Sequence, residues 1–172
     1  MYAVRTMWLR HLFAIAVLPF TAAIVIPVLI ARRNATVLAV GGSPGAVAIQ
    51  LAGLALLGVG FVLFVQSLRR FASEGKGTLA PWDPPRALVV RGPYRFVRNP
   101  MISGVVFVLF GEALALRSMP HAGWAAAFLV ANLVYIPLLE EPVLEDRFGE
   151  PYRRYCRNVP RIFPRLRPWD PR

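Results

Sequence analysis

Four apolar stretches, separated by polar segments, dominate the pattern along the chain. The first covers residues 12–31 and the second residues 46–68. Each is about the length that crosses the roughly 30 Å hydrocarbon core of a bilayer. Two shorter stretches, 101–116 and 123–139, have only a short link between them, which predicts an antiparallel helical hairpin. The pattern predicts an all-α, multi-pass membrane protein with about four spans; a hairpin that returns without crossing fully would give the same sidedness.

Prolines and glycines inside the first two spans indicate how these helices are shaped and packed. Pro19 and Pro27 predict a kinked first span. Gly53, Gly58 and Gly60 predict that another helix approaches the second span closely. Gly58 and Gly60 also form a Gly-x-Gly sequence, which occurs in cofactor-binding loops. Within an apolar run this spacing more often serves packing.

The polar segments are a long connection, 69–100, and a tail, 140–172. Together with the four apolar stretches they are predicted to form a single membrane domain, residues 1–172. In the tail, four apolar side chains recur at helical spacing among arginines: Phe148, Tyr152, Tyr155 and Val159. Pro151 suits the first turn of such a helix. The stripe predicts an interfacial C-terminal helix, either an anchor on lipid headgroups or a lid over a site on the cytoplasmic face.

Composition and charge agree with a membrane protein. Of the 172 residues, 56% are hydrophobic and 17% charged, against roughly 25% charged in ordinary soluble domains. The net charge is +11. With four spans, 17 of the 20 basic residues fall on one side, which predicts that both termini are cytoplasmic. Because the arginines bracket the apolar runs, a nucleic-acid partner is not expected. The one cysteine, Cys156, excludes a disulfide scaffold.

Glu140 and Glu141 are the strongest candidates for chemistry. They follow the fourth span, at the carboxyl end of a helix, where the helix dipole disfavours negative charge. We therefore expect compensation from arginines of the connection. Adjacent carboxylates also tend to raise one pKa, which would leave a proton acceptor near neutrality. The alternative is structural: Pro142 begins a new helix and Glu141 caps it.

Other polar residues admit two interpretations each. Glu112 lies within the third span, where an ionisable group indicates function, or it reaches the outer interface. Asn132 and Tyr135, three residues apart, either face one cavity or bond to another helix. His121 is predicted to lie in the outer turn. The only histidines and cysteine are His11, His121 and Cys156, and they do not have the spacing of a zinc-binding motif. No metal site is expected.

From Gly77 onward, about the last 95 residues, the chain resembles a known family. The resemblance rests on ALVVRGPYRFVRNP at 87–100, Glu140-Glu141 after the hairpin, FGEPYRRY at 148–155 and VPR at 159–161. This order is similar to that of the isoprenylcysteine carboxyl methyltransferases and their bacterial phospholipid-methyltransferase-like relatives. The resemblance implies an enzyme of a bacterial inner membrane that transfers a methyl group from S-adenosyl-L-methionine to a lipophilic acceptor.

The resemblance also implies a site. Glu140 matches the family's glutamate at the methyl-transfer position and is the predicted catalytic residue. The residues predicted to bind the cofactor are Arg86, Ala87, Leu88, Val89, Tyr94, Asn99, Pro100, Met101, Ile102 and Glu141.

The family's Arg-His-Pro-x-Tyr motif is altered here, with Asn99 for its histidine and Ile102 for its tyrosine. Ile136 replaces the arginine that serves the substrate in prenylcysteine enzymes. A carboxylate substrate would need such a cation when buried, so prenylcysteine is disfavoured.

The expected partners are a lipophilic small molecule (a lipid, an isoprenoid-linked carboxylate or another hydrophobic compound) and membrane lipid; the sequence does not indicate an oligomeric state. A charged, water-soluble donor and a lipophilic acceptor would meet at the membrane surface. Two alternatives stay open. One is a nicotinamide-dependent reductase on a similar scaffold, because sterol reductases resemble the family in their C-terminal halves. The other is a non-catalytic relative, which Asn99 and Ile102 favour.

Overall fold

In this computed structural model, residues 16–38, 41–75 and 87–170 are described, and every regular element within them is helical. The α-helices in chain order are α1 (Ile26–Arg33), α2 (Pro44–Arg70), α3 (Pro100–Ala115), α4 (Met119–Tyr135), α5 (Glu141–Phe148) and α6 (Glu150–Asn158). Segments of other helical type adjoin them: the π-helical Ala16–Val25, Phe71–Gly75 and Ile136–Glu140, and the 3-10 turn Gly92–Arg95. The all-α prediction is confirmed for these ranges.

Among the residues that the structure describes, two helices are long and apolar enough to cross a membrane: α2, and the continuous helix Met119–Phe148 that contains α4 and α5. Only 17% and 11% of their most apolar windows are buried inside the protein, so their apolar side chains face outward. A core helix of a soluble protein would bury them. The 16 residues of α3 extend about 24 Å, less than the bilayer core. The count of four spans stays a prediction.

Glycines bring α2 and α3 into backbone contact. A Cβ atom added at Gly60 would lie 2.7 Å from the carbonyl oxygen of Gly104, and one at Gly111 would lie 2.8 Å from that of Gly53. Gly53 and Gly60 are seven residues apart on α2, and Gly104 and Gly111 are seven residues apart on α3, which puts each pair on one helix face. Gly58 has nothing within 4 Å of its added Cβ. The packing interpretation is confirmed for Gly53 and Gly60, whereas Gly58 lies off this contact.

Helices α3 and α4 form the predicted hairpin, joined by the short turn 116–118. Val105 and Leu109 of α3 pack against Ala125 of α4, and all three are almost completely buried. Trp124 packs against the same cluster, and its indole nitrogen donates a hydrogen bond of 2.9 Å to the carbonyl oxygen of Ala22. The hairpin is thereby fixed to the first helical segment as well as to α2.

The prediction that His121 lies in a turn is wrong. Helix α4 begins at Met119, with a proline in its first turn, so the helix starts before the apolar run does. His121 is 2% exposed, and its ring nitrogens contact Ser118 Oγ at 2.8 Å and the Pro27 carbonyl oxygen at 3.1 Å. It is a buried histidine with two hydrogen-bond partners.

The C-terminal tail returns to the connection and holds it in place by backbone hydrogen bonds. The amides of Arg98 and Asn99 donate to the carbonyls of Pro160 and Arg161, at 2.8 and 3.1 Å. Further along, the Trp169 amide donates to the Arg95 carbonyl at 2.9 Å. The segment that carries most of the predicted cofactor residues is therefore fixed by residues about 60 positions later.

The aromatic stripe of the tail faces the protein. Tyr152, Tyr155 and Val159 are at most 4% exposed and pack with Leu88 and Trp169. The prediction that this stripe lies on lipid headgroups is wrong, because the stripe covers the extended segment that follows residue 86. The alternative of a lid over a site agrees with this packing, and a proline does occupy the first turn of α6 as predicted.

Candidate active site

A cavity of about 680 Å³ lies between the first helical segment, α4, the start of α3 and the C-terminal helices. Its volume lies within the range of small-molecule sites. The 3-10 turn, the link between it and α3, and the π turn before α5 contribute polar side chains to its lining: Tyr94, Arg98, Asn99 and Glu140. Tyr94 and Asn99, predicted to bind the cofactor, and Glu140, the predicted catalytic residue, therefore line one cavity.

Tyr94 borders this cavity and carries a buried hydroxyl. The 3-10 turn Gly92–Arg95 begins at a glycine with φ of 55°, a conformation that side chains other than glycine rarely adopt. Tyr94 is 7% exposed, and its hydroxyl has no hydrogen-bond partner among the described residues. Burial, with smaller contributions from Tyr155 and Glu140, raises the pKa of Tyr94 well above its ordinary value. The phenol therefore stays neutral and can donate a hydrogen bond to a ligand.

Glu140 reaches the cavity from the π-helical turn Ile136–Glu140. Pro137 lies in this turn and lacks the N–H that a regular helix would use. Such π turns often mark functional sites. Within the described ranges the partly buried carboxylate of Glu140 has no hydrogen bond or ion pair, although Arg98 is close enough to interact with it electrostatically. The group is thus available to a positively charged ligand or to a proton.

Glu141, by contrast, is fully engaged with arginines. Its two carboxylate oxygens accept hydrogen bonds of 2.8 Å each from Arg161, and Arg98 approaches to 3.0 Å. Compensation by an arginine of the connection is confirmed for this residue. Pro142 does lie in the first turn of α5, as the structural alternative predicted, but no side-chain cap hydrogen bond occurs there and Glu141 pairs with arginines instead. Glu141 does not line the cavity, so its role toward the cofactor stays a prediction.

The remaining predicted residues fall into two groups. Arg86 lies outside the described residues. The others border the cavity: Ala87, Leu88, Val89, Pro100, Met101 and Ile102. Asn99 precedes α3 without a cap hydrogen bond from its side chain, which leaves its amide free to face the cavity. The resemblance therefore selected residues that the fold brings together, and their roles stay predictions.

An apolar arm continues the cavity away from the polar groups. Apolar side chains of the first helical segment, α2 and α4 line it: Pro19, Ala22, Ile26, Phe64, Trp124 and Phe128. Asn132 and Tyr135 also border the cavity, as one interpretation predicted, and the Asn132 amide bonds within its own helix to the Phe128 carbonyl at 2.9 Å. The cavity thus combines a polar end with a hydrocarbon-like interior.

Three further residues bear on the sequence predictions. One carboxylate oxygen of Glu112 is buried without a hydrogen-bond partner in the described ranges, and both interpretations of this residue remain open. Ile136 is 1% exposed and does not line the cavity. The guanidinium beside Glu140 is that of Arg98, which sequence reasoning did not select. Its place directly before the predicted cofactor segment is the signal that could have found it.

No cluster of three or more metal-ligating side chains occurs among the described residues.

The model of the family described as phospholipid methyltransferase matches residues 48–151, more than half of the chain. The protein belongs to the phospholipid methyltransferase family. The family match favours a methyltransferase over a reductase. Comparison with curated proteins and with solved structures gives no match.

Proposed function

We propose that this protein transfers a methyl group from S-adenosylmethionine to a lipophilic acceptor at the cytoplasmic face of a membrane. The observation that carries the proposal is one continuous cavity with unpaired polar groups at one end and an apolar arm at the other. A polar donor and a hydrocarbon-bearing acceptor need these two environments in contact. Since the family is described by its action on phospholipids, a phospholipid headgroup is the first acceptor to test; the isoprenylcysteine-type subfamily is part of the same proposal.

The polar residues have the chemistry that such a donor requires. When bound, S-adenosylmethionine supplies a methyl group on a positively charged sulfur. The Tyr94 hydroxyl and the Asn99 amide can hydrogen-bond to its polar atoms, and the Glu140 carboxylate can hold a positive charge or accept a proton from the nucleophile. Methyl transfer mainly requires donor and acceptor in line at roughly 3–3.5 Å. The aromatic cover of Phe148, Tyr152 and Tyr155 limits the access of water.

Access from the membrane is supported by residues on the outer side of the cavity. Leu139 and Val143 line it and are 60% and 52% exposed. An apolar acceptor could therefore reach Glu140 from lipid without passing through water. The cytoplasmic assignment rests on the distribution of charge, because with four spans 17 of the 20 basic residues fall on the side of the connection 69–100 and the tail 140–172. These two segments also contain Tyr94 and Glu140.

Replacement of Glu140 by glutamine tests the function. We expect the purified wild-type protein to transfer labelled methyl groups to a membrane lipid extract, and Glu140→Gln to reduce transfer by about a hundredfold or more. Glu145→Gln is the matched control, because Glu145 is exposed and pairs with Arg153 on the surface. Turnover of Glu140→Gln equal to that of the control would refute the role of Glu140. A wild-type protein that binds no S-adenosylhomocysteine would favour the non-catalytic alternative.

A further inference from the structure

The chain after α6 forms a loop that presents two apolar side chains outward. Ile162 is 2% exposed, whereas Phe163 and Leu166 are 59% and 98% exposed. Single exposed apolar residues are common on any protein surface. These two differ because they lie close together in a polar tail and alternate with prolines and arginines, in the sequence FPRLRP at 163–168. The loop therefore combines exposed apolar side chains with positive charge.

Hydrogen bonds fix this loop to the connection. The Arg165 amide donates to the Phe96 carbonyl at 3.0 Å, and the Trp169 amide donates to the Arg95 carbonyl at 2.9 Å. Pro164 restricts the backbone further, because its ring fixes φ. The two apolar side chains are thus presented by a fixed backbone and not by a free chain end that could fold back onto the protein.

The loop lies where the outward-facing apolar surface of the long helix Met119–Phe148 ends. Just before the loop, Arg161 binds Glu141 with two hydrogen bonds of 2.8 Å. Glu141 lies between Leu139 and Val143, which are 60% and 52% exposed, and the exposed residues that follow on this helix are charged. The loop also accepts a hydrogen bond from a serine hydroxyl in the first turn of α3. Both attachments place it beside the boundary between apolar and polar surface.

Two arginines flank Leu166 and supply positive charge at this boundary. Arg167 is exposed and has no hydrogen bond or ion pair among the described residues. Arg165 donates from one terminal nitrogen to the Asn158 carbonyl at 2.7 Å, and within the same ranges it forms no ion pair. Arginine is well suited to bind phosphate because its planar guanidinium can donate two parallel hydrogen bonds.

We infer that residues 162–168 form an interfacial loop that binds anionic lipid. Its two exposed apolar side chains insert among the headgroups, and Arg165 and Arg167 bind the lipid phosphates. Apolar side chains accompanied by basic ones are typical of segments that lie in the membrane interface, and an anionic leaflet attracts such basic residues. The loop thus makes the headgroup contact that the sequence assigned to the aromatic stripe of α6. The inference does not depend on methyl transfer.

The position of the loop is tested with a fluorophore and two kinds of quencher. Leu166→Cys and, as the matched control, Arg153→Cys are labelled with nitrobenzoxadiazole in the Cys156→Ser background. Arg153 is exposed and pairs with Glu145 and Glu150. The labelled proteins are reconstituted in bilayers of phosphatidylcholine and phosphatidylglycerol. One quencher is a lipid with a nitroxide near its headgroup, and the other is aqueous iodide.

The label at position 166 should be quenched by the nitroxide lipid and shielded from iodide, whereas the label at position 153 should show the reverse. Equal iodide quenching at both positions would place the loop in water and overturn the inference. Shielding from both quenchers would indicate that protein covers the loop, a second copy or another segment, and would overturn it as well. Thermal unfolding is recorded in parallel, and Phe163→Cys provides a second labelling site with the same expectation if Leu166→Cys does not fold.

The charge of the preferred lipid is tested with the same label. Competition between nitroxide-bearing phosphatidylglycerol and phosphatidylcholine gives their relative association constants at the loop. Arg167→Gln should lower the preference for phosphatidylglycerol about fivefold, the effect of one basic side chain at an anionic surface. Arg153→Gln should leave the preference unchanged, and high salt should reduce it in the protein that retains Arg167. Equal quenching by the two lipids, or no change in Arg167→Gln, would overturn the assignment of anionic lipid.

Discussion

The α2–α3 contact and the cavity show two opposite solutions to helix packing in one small chain. At the contact, glycines on both helices let the backbones touch, and no space remains even for one methyl group. At the cavity, a 3-10 turn, a π turn and an extended segment replace regular helix and leave about 680 Å³ open. Regular helices with small residues make a rigid support, whereas interrupted helices expose backbone ends and polar side chains. We therefore expect substitutions at the contact to affect stability and substitutions at the cavity to affect ligand binding.

The largest effect is expected on stability, when a methyl group is added to a glycine at the α2–α3 contact. Gly60→Ala would bring a Cβ atom to 2.7 Å from the Gly104 carbonyl oxygen, and we expect a loss of about 1–3 kcal/mol in stability because the backbones must separate. Thermal unfolding in detergent measures this.

Gly58→Ala is the matched control two residues away. Nothing lies within 4 Å of its added Cβ, and alanine is the better helix former. It should be neutral or slightly stabilising. Similar destabilisation by both substitutions would contradict the claim that the contact depends on Gly60.

A smaller effect is expected when one hydroxyl is removed from a tyrosine at the cavity. Removal from Tyr94 should change ligand affinity, whereas removal from Tyr155 should change stability. Tyr94→Phe removes a hydroxyl that has no partner among the described residues, so stability should be unchanged. The affinity for S-adenosylhomocysteine should fall about five- to tenfold, the value of one hydrogen bond. Calorimetry and thermal unfolding on the same samples measure both quantities.

Tyr155→Phe should behave differently. The Tyr155 hydroxyl donates a hydrogen bond of 2.6 Å to the Tyr94 carbonyl oxygen, and its removal should cost about 1–2 kcal/mol in stability. If Tyr94→Phe destabilised the protein as much and left the affinity unchanged, Tyr94 would be a structural residue and not a ligand contact.

The smallest effect should be a loss of stability in alkali that arises at the cavity and not at the glycine contact. Burial is the main cause that raises the pKa values of Tyr94, Tyr152 and Tyr155 above the ordinary value, which is about 10. The folded state therefore holds these protons more tightly than the unfolded state does. The resulting stability is complete below about pH 10 and is lost as the pH rises above it.

Tyrosinate absorbance during an alkaline titration, followed together with near-ultraviolet circular dichroism, tests this expectation. The buried tyrosines should ionise only as tertiary structure is lost. Ionisation of all tyrosines near pH 10 in a protein that keeps its tertiary signal would show that the cavity is accessible to solvent in the folded state.

Hydrophobic periodicity and small residues determined much of the fold in advance. The apolar runs predicted helices, the short link between residues 116 and 123 predicted the hairpin, and Gly53 and Gly60 predicted close packing. These features depend on local spacing, which a single sequence displays directly. The same holds for Pro151, whose fixed backbone suits the start of α6.

Tertiary structure decided which polar groups share the cavity. Nothing local distinguishes Glu140 from Glu141; the π turn directs the former to the cavity, while Arg161, 20 residues further along, binds the latter. The inward direction of the aromatic stripe and the burial of His121 likewise depend on partners that lie far away in the chain. A single sequence specifies helix faces by spacing, but it does not specify which distant surface each face meets, because that choice depends on the packing of the whole chain.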